Sequence, residues 1–143
     1  MQFKQTAKAM PGVGELNLFR SSEMYLIEAE ADCHLGKDLE AQQLLVALNA
    51  SSGRDPEYTC TKTGEELLDE VRLYTRIELW GEGHDWFNYK RWGLPIVRKS
   101  SAKGGNFLTQ LAVTIKPTDN NGWTWVLPSS EVDYNSDILG SAE

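Results

Sequence analysis

Glu78 and Glu82 are the two residues whose type and spacing most suggest chemistry. Positions i and i+4 share one face of a helix, so the two carboxylates would lie side by side. Glycosidases instead place two carboxylates on either side of a sugar, about 5 to 9 Å apart. Carboxylate-bridged metal sites often use a Glu-x-x-His spacing, which His84 does not satisfy. Like charges need nearby cations, so we predict a structural charge network. The cations available for it are Arg72, Arg76, Lys90 and Arg91.

Nucleophiles and metal ligands are sparse in this sequence. Cys33 and Cys60 are the only cysteines, and together with His34 and His84 they match no compact pair of zinc ligands. The chain contains neither a Gly-x-Ser-x-Gly motif nor a Gly-rich phosphate loop. We therefore predict a protein that is not an enzyme, with no catalytic residue, no metal and no cofactor. Two cysteines are not a disulfide framework, and whether they pair stays open.

Aromatic side chains are the other informative group, because sugar C–H faces stack on aromatic rings. Five of them fall in one short stretch, namely Trp80, Trp86, Phe87, Tyr89 and Trp92. These alternate with charged residues, which favours the edge of a core with ion pairs. Trp123 and Tyr58 lie in loop-like surroundings, with Asn121 near Trp123. Trp123, Tyr58 and Asn121 are therefore the candidates for contact with a sugar, and packing in the core is the alternative.

The net charge of −7 is distributed unevenly over the 143 residues. No acid occurs between Asp85 and Asp119, whereas six cations do. They are Lys90, Arg91, Arg98, Lys99, Lys103 and Lys116. A basic patch can bind polyanions, but acidic proteins seldom bind them well. We therefore expect these cations to neutralise the acidic helices, and we expect no nucleic-acid partner.

Two amphipathic helices are predicted in the first third of the chain. Ser21 or Ser22 would cap the first helix, and Gly36 would end it at the usual C′ position. Its apolar face, at spacings of three and four, comprises Met24, Ile27, Ala31 and Leu35. Asp38 would cap the second helix. The apolar residues of that helix are Ala41, Leu44, Leu45 and Leu48. A connection this short predicts an antiparallel αα-hairpin.

A third helix, a fourth helix and short strands are predicted to follow. Thr63 and Glu66 match a capping box at the start of the third helix. Its apolar face comprises Leu67, Val71, Tyr74 and Ile77. A shorter helix is predicted over residues 84–92. The predicted segments after it are a flexible loop at 100–105, strands at 107–116 and 123–127, and a final helical turn at 129–131.

Three segments resemble motifs of the SusD/RagB-like family. Residues 20–31, RSSEMYLIEAEA, resemble its R-x-x-E-x-x-L-I-x-A-E-A helix. Residues 76–92, RIELWGEGHDWFNYKRW, are similar to its R-x-E-L-x-x-E-G-x-R-x-x-D-L-x-R-W segment, although His84 replaces a basic residue and Asn88 an acid. Residues 125–131, WVLPSSE, resemble its closing hydrophobic-P-x-x-E element. The order of the motifs makes the resemblance specific.

The resemblance implies a mainly α fold, with a tetratricopeptide-like helical hairpin, further helices and a loop-rich C-terminal part carrying short strands. Residues 1–143 would form a single C-terminal fragment, in which loop-rich 93–143 packs on helical 18–92. The function implied is non-catalytic glycan binding at the surface of the outer membrane.

The implied partner besides the glycan is a TonB-dependent, SusC-like transporter, to which the protein would deliver nutrient. Membrane association would depend on a lipid anchor that this chain lacks, since the N-terminus has no signal-peptide core. The alternative is a helical protein–protein interaction module without sugar contact of its own.

Overall fold

The structure, a computed structural model, describes residues 19–52 and 55–119, and these residues are mainly helical, as predicted. Their elements are the helices α1 Ser21–His34, α2 Asp38–Ser52, α3 Gly64–Glu78 and α4 His84–Trp92, the strands β1 Ile96–Val97 and β2 Thr114–Ile115, and 3-10 turns at Ser101–Lys103 and Thr109–Leu111. The chain divides into two compact units, the first unit (1–84) and the second unit (85–143). Within the described ranges, no helix is long and apolar enough to cross a bilayer.

Helices α1 and α2 form the predicted hairpin, joined by a tight turn. Gly36 lies just past the end of α1 with φ of +71°, a conformation that glycine adopts without steric cost. The predicted start of α1 was wrong by one position, because Arg20 is the N-cap residue and both serines lie inside the helix. Helix α2 continues to Ser52, although the small and polar run at 49–53 predicts that it ends there. There, buried Asn49 donates its side-chain amide to the carbonyl oxygen of Leu45 at 2.9 Å.

The apolar face predicted for α1 is wrong. Ile27 is 53% exposed and Leu35 68% exposed, and Met24 and Ala31 are exposed as well. The buried positions are instead Leu26, Ala29 and Glu30, with Cys33 half-buried. Apolar residues occur on both sides of this helix, so the spacing alone cannot choose the buried side. Small Ala29 lets the neighbouring backbones come close, which favours the observed face.

The core of the first unit lies among α1, α2 and α3, each of which contacts the other two. It is formed by Leu26, Ala29, Ala41, Leu45, Leu48, Leu67 and Val71. This confirms the apolar positions predicted for α2, with Leu44 at the margin. The face predicted for α3 is confirmed at Leu67 and Val71, whereas Ile77 is exposed. The three helices therefore bury their stripes against one another, as amphipathic helices must.

The start of α3 is stabilised differently from the prediction. Thr63 is the N-cap residue, but its side chain makes no capping hydrogen bond, so the capping box is not formed. The backbone N–H of Gly64 instead donates to the carboxylate of Asp38 at 2.9 Å. A negative charge is favourable at a helix N-terminus, where amides have no partner within the helix. Asp38 thereby ties the start of α2 to the start of α3.

The second unit contains small elements. Helix α4 has the predicted bounds. Strands β1 and β2 pair antiparallel, with Ile96 opposite Ile115. The predicted strand over 107–116 shrinks to two residues, because a 3-10 turn occupies Thr109–Leu111. Residues 123–127 and 129–131 lie outside the described residues. The predicted packing of 93–143 on the helices stays a prediction.

Candidate functional site

Tyr58 lies between α2 and α3 in sequence and is half-buried against the core of the first unit. Its ring meets Tyr74 edge-to-face, with centroids 5.2 Å apart and planes at 69°. Its hydroxyl donates to the carboxylate of Glu70 at 3.0 Å, and the Nζ of Lys62 donates to the other oxygen of that carboxylate at 2.6 Å. Contacts within the protein therefore cover part of the Tyr58 ring and occupy its hydroxyl.

The environment of Tyr58 also changes its acidity. Burial, together with hydrogen bonds to Cys60 and Glu70, raises the pKa of the Tyr58 hydroxyl far above its ordinary range. The hydroxyl thus stays protonated at physiological pH as a donor to Glu70. Trp123 and Asn121, the other two candidates, lie outside the described residues. Their position relative to Tyr58 stays a prediction.

Glu78 and Glu82 form the predicted charge network, but the cation that contacts both was not among those predicted. It is Arg20, which directly precedes α1. One guanidinium nitrogen of Arg20 hydrogen-bonds the Glu78 carboxylate. The other donates to Glu82 at 2.5 Å and to the backbone oxygen of Glu78 at 3.1 Å. The arrangement links the start of α1 to the end of α3.

This geometry bears on the chemistry of the two acids. The Glu78 side chain is only 3% exposed and that of Glu82 only 12% exposed. The guanidinium of Arg20 occupies an oxygen of each carboxylate with a charge-assisted hydrogen bond. A retaining glycosidase needs one open carboxylate as nucleophile and another as proton donor, on either side of a sugar. The pair around Arg20 does not provide that arrangement.

The two positions that depart from the family motif have separate neighbours. His84 Nδ1 lies 3.7 Å from a carboxylate oxygen of Glu23 in α1, close enough to form an ion pair when the imidazole is protonated. Asn88 accepts a hydrogen bond from Arg91 at 3.2 Å. His84 and Glu23 therefore add a second connection between α1 and the segment after α3.

Cys33 and Cys60 are free thiols, half-buried against the same core. Burial is the main cause that raises the pKa of the Cys33 thiol to about 11, and the charge of Asp38 adds to it. A thiol with so high a pKa is a poor nucleophile at neutral pH. Among residues 19–52 and 55–119, no group of three or more His, Cys, Asp or Glu side chains could hold a metal ion.

The aromatic stretch at the end of the first unit and in α4 is only partly packed. Trp80 and Phe87 are largely exposed. Trp86, Tyr89 and Trp92 are half-buried, and the last two rings pack with centroids 6.0 Å apart. Phe87 thus differs in exposure from Trp86 and Tyr89, which lie in the same helix. Exposed rings such as Phe87 provide flat apolar surfaces in each unit.

One aromatic contact was not predicted from the sequence. The guanidinium of Arg98 lies over the ring of Phe107, 5.5 Å from its centroid. Neither residue belongs to a family motif, and a turn joins their positions in the chain. The available signal was the run of cations without acids. It identified Arg98 but not the ring beneath it.

Comparisons with known proteins agree with the resemblance seen in the motifs. The model of the SusD family matches residues 3–138. SusD-like protein P38 of Formosa agariphila is 31% identical over 90 residues, which cover 57% of this chain and 18% of that relative. The match thus spans less than a fifth of the relative's length. No solved structure matches the chain.

Proposed function

Because the chain belongs to the SusD family, we propose that it is part of a non-catalytic protein that binds glycans at the cell surface during nutrient uptake. The observation that carries the proposal is the family match over residues 3–138, nearly the whole chain. In this proposal, the chain is the C-terminal portion of a longer outer-membrane protein held by a lipid anchor. The glycan would pass to a TonB-dependent, SusC-like transporter.

The geometry of the acids supports binding over hydrolysis. Arg20 hydrogen-bonds both Glu78 and Glu82, and Glu78 is buried. An acid that protonates a glycosidic oxygen must reach the substrate and must carry a proton at working pH. The burial of Glu78 and the Arg20 contacts to both acids oppose the first requirement, access to the substrate. Replacing both acids by glutamine is therefore expected to lower the stability of the fold. Neither the parent chain nor this variant is expected to hydrolyse a glycan.

We assign the sugar contacts to Trp123 and Asn121, with a smaller role for Tyr58. An exposed ring can stack on a sugar, and an amide can both donate to and accept from sugar hydroxyls. The Tyr58 ring is half-buried and its hydroxyl already donates to Glu70, so less of it is available to a ligand.

Affinity electrophoresis through gels containing different polysaccharides tests this proposal. A polysaccharide that binds the chain slows its migration, and we expect Trp123→Ala to restore most of the mobility. Tyr58→Phe keeps the ring and is expected to change migration little. Normal migration in every gel, or retardation that Trp123→Ala and Asn121→Ala leave unaltered, would contradict the assignment.

The exposed apolar side of α1 favours a second candidate, a protein–protein interaction module. Met24, Ile27 and Leu35 lie there at helical spacing and are all at least half-exposed. A helix face of this kind can dock on another protein. If this is the function, co-purification with a SusC-like transporter will survive Trp123→Ala but will be lost with Ile27→Asp.

A further inference from the structure

The described part of the second unit has a charge opposite to that of the whole chain. Residues 86–118 contain six cations and no acid, whereas the net charge of the chain is −7. Three of the cations, Arg98, Lys99 and Lys103, follow β1 within one short loop. We call residues 98–107 the basic loop. Salt at physiological strength screens charges beyond about 8 Å, so the local charge governs contacts at this loop.

The basic loop has a defined conformation. The carbonyl oxygen of Ser100 accepts hydrogen bonds from the N–H groups of Lys103 and Gly105, both at 2.9 Å. The N–H of Phe107 donates to the oxygen of Lys99 at 3.2 Å and closes the loop. Ser100 is buried beneath these bonds. Lys99 and Lys103 are therefore carried close together by a closed turn, with both side chains exposed.

An aromatic ring adjoins these cations. Arg98 is anchored to the strand pair by its N–H, which donates to the oxygen of Val113 at 2.9 Å. Its guanidinium lies over the ring of Phe107, which is itself partly exposed. A ring beneath a guanidinium holds the cation in place without neutralising it. The planar guanidinium keeps its donors for an anion.

No ion pair with a carboxylate is formed by these cations, Arg98, Lys99 and Lys103, in the part of the chain that the structure describes. In the first unit, by contrast, Arg20 and Arg72 each contact two acids. Among the described residues, Arg20 and Arg72 are thus bound by acids, whereas the three cations of the basic loop are in no ion pair.

We propose that the basic loop binds the acidic groups of an anionic glycan, with Arg98, Lys99 and Lys103 contacting carboxylates or sulfate esters and Phe107 contacting a sugar ring. This inference rests on the proposed function and narrows its substrate class. An acidic polysaccharide carries its charges a sugar residue apart, which suits a few cations beside a ring. Nucleic acid carries one charge per about 1.7 Å, and an acidic protein repels it more strongly.

Isothermal titration calorimetry of the 143-residue chain with three polymers tests the inference. Polygalacturonate offers carboxylates, dextran sulfate offers sulfate esters, and dextran is neutral. We expect one or both anionic polymers to bind at least about tenfold more tightly than dextran at low salt, with affinity falling as salt rises. Binding of polygalacturonate alone assigns carboxylates, and binding of dextran sulfate alone assigns sulfate esters.

Charge-matched variants give the decisive contrast. The double variant Lys99→Gln, Lys103→Gln is expected to lose about tenfold in affinity for the anionic polymer and to show a weaker salt dependence. The control Lys8→Gln, Lys37→Gln changes the net charge equally and is expected to bind as the parent chain does. Thermal melting of each variant checks that the fold is retained.

Four results would overturn the inference. Equal losses in the two double variants would show a general charge effect. Equal binding of a single-stranded DNA oligonucleotide at the same salt would remove the commitment to glycans. Binding of neutral polymers without any preference for anionic ones would leave the proposed function standing and refute only its narrowing. Failure to bind any glycan, neutral or anionic, would refute both.

Discussion

The first and second units position their side chains by different interactions. In the first, three helices share one apolar core, and ion pairs connect their ends. In the second, Ser100 is the one buried residue among those described, and two-residue strands are joined by turns. In the described part of the second unit, the conformation therefore depends mainly on backbone hydrogen bonds.

Because of this difference, the residues that stabilise the fold and the residues that are exposed to a ligand lie mainly in different units. Buried apolar area supplies most folding free energy, at about 25 cal/mol per Å². The first unit gains it through helices whose stripes face one another. The described part of the second unit instead carries the basic loop, where Lys99 and Lys103 are exposed and Arg98 lies over the ring of Phe107. Substitutions should accordingly change stability most in the first unit and binding most in the second.

The largest effect is expected from the core face of α1. Leu26→Ala leaves a cavity beside α2 and α3 and should lower the free energy of unfolding by about 3 kcal/mol. Its neighbour Ile27, on the exposed side, is the matched control, and Ile27→Ala should cost below about 1 kcal/mol. Urea denaturation measures both. If Ile27→Ala lowers the free energy of unfolding more than Leu26→Ala does, the apolar face predicted from the sequence is the buried one.

The next effect concerns the ion pairs at the helix ends. Arg20→Ala leaves the buried Glu78 carboxylate without the guanidinium that hydrogen-bonds it and should destabilise the first unit by about 2 to 3 kcal/mol. Arg20→Lys retains the charge but not the planar fork, so it should recover part of that loss. Lys37→Ala breaks only the exposed contact to Asp32 and should cost below about 1 kcal/mol. Equal losses for Arg20→Ala and Lys37→Ala would contradict the central role of Arg20.

A third test concerns the hydrogen-bonded turn of the second unit. A Cβ at Gly105 would lie 1.9 Å from the backbone oxygen of Lys99, so Gly105→Ala must open the turn. We expect the amide of Phe107, which donates to that oxygen, to lose at least about tenfold of its protection from hydrogen exchange. Gly104→Ala is the comparison variant, because nothing lies within 4 Å of its Cβ, although its φ of +75° adds local strain. Unchanged protection in Gly105→Ala would mean that the basic loop is not held by this turn.

The smallest effect is expected at Tyr58. Tyr58→Phe removes one hydrogen bond to Glu70 and should cost about 1 kcal/mol at neutral pH. The pKa of the Tyr58 hydroxyl is raised in the folded state, so its contribution is present below pH 10.0, the ordinary value, and is lost as pH rises beyond it. Denaturation from pH 8 to 11 should therefore bring the parent and Tyr58→Phe together at the alkaline end. A difference that grows with pH would contradict this account.

Local signals predicted the helical framework well. The glycine at position 36 and the spacing of apolar residues in α2 are short-range features, and both were confirmed. The bounds of α4 were also right, because glycines precede and follow it. Such features depend on backbone geometry within one or two turns, which the sequence contains.

Features that depend on a distant partner were predicted less well. The buried face of α1 depends on which side meets α2 and α3, and both sides carry apolar residues. The cation of the charge network, Arg20, is far from Glu78 in sequence. Asp38, which accepts a hydrogen bond from the amide of Gly64 at the start of α3, is also distant from it in sequence. In the basic loop, the cations were visible in the sequence, but the ring beneath Arg98 depended on a turn.

We propose that this chain binds glycan without transforming it, and calorimetry tests binding and the lack of turnover in one experiment. Oligosaccharides are titrated into the 143-residue chain while heat is followed over time. We predict heat pulses that diminish to saturation and return to the baseline after each injection. No binding heat with any neutral or acidic oligosaccharide, or a steady heat flow that marks continued hydrolysis, would contradict the claim.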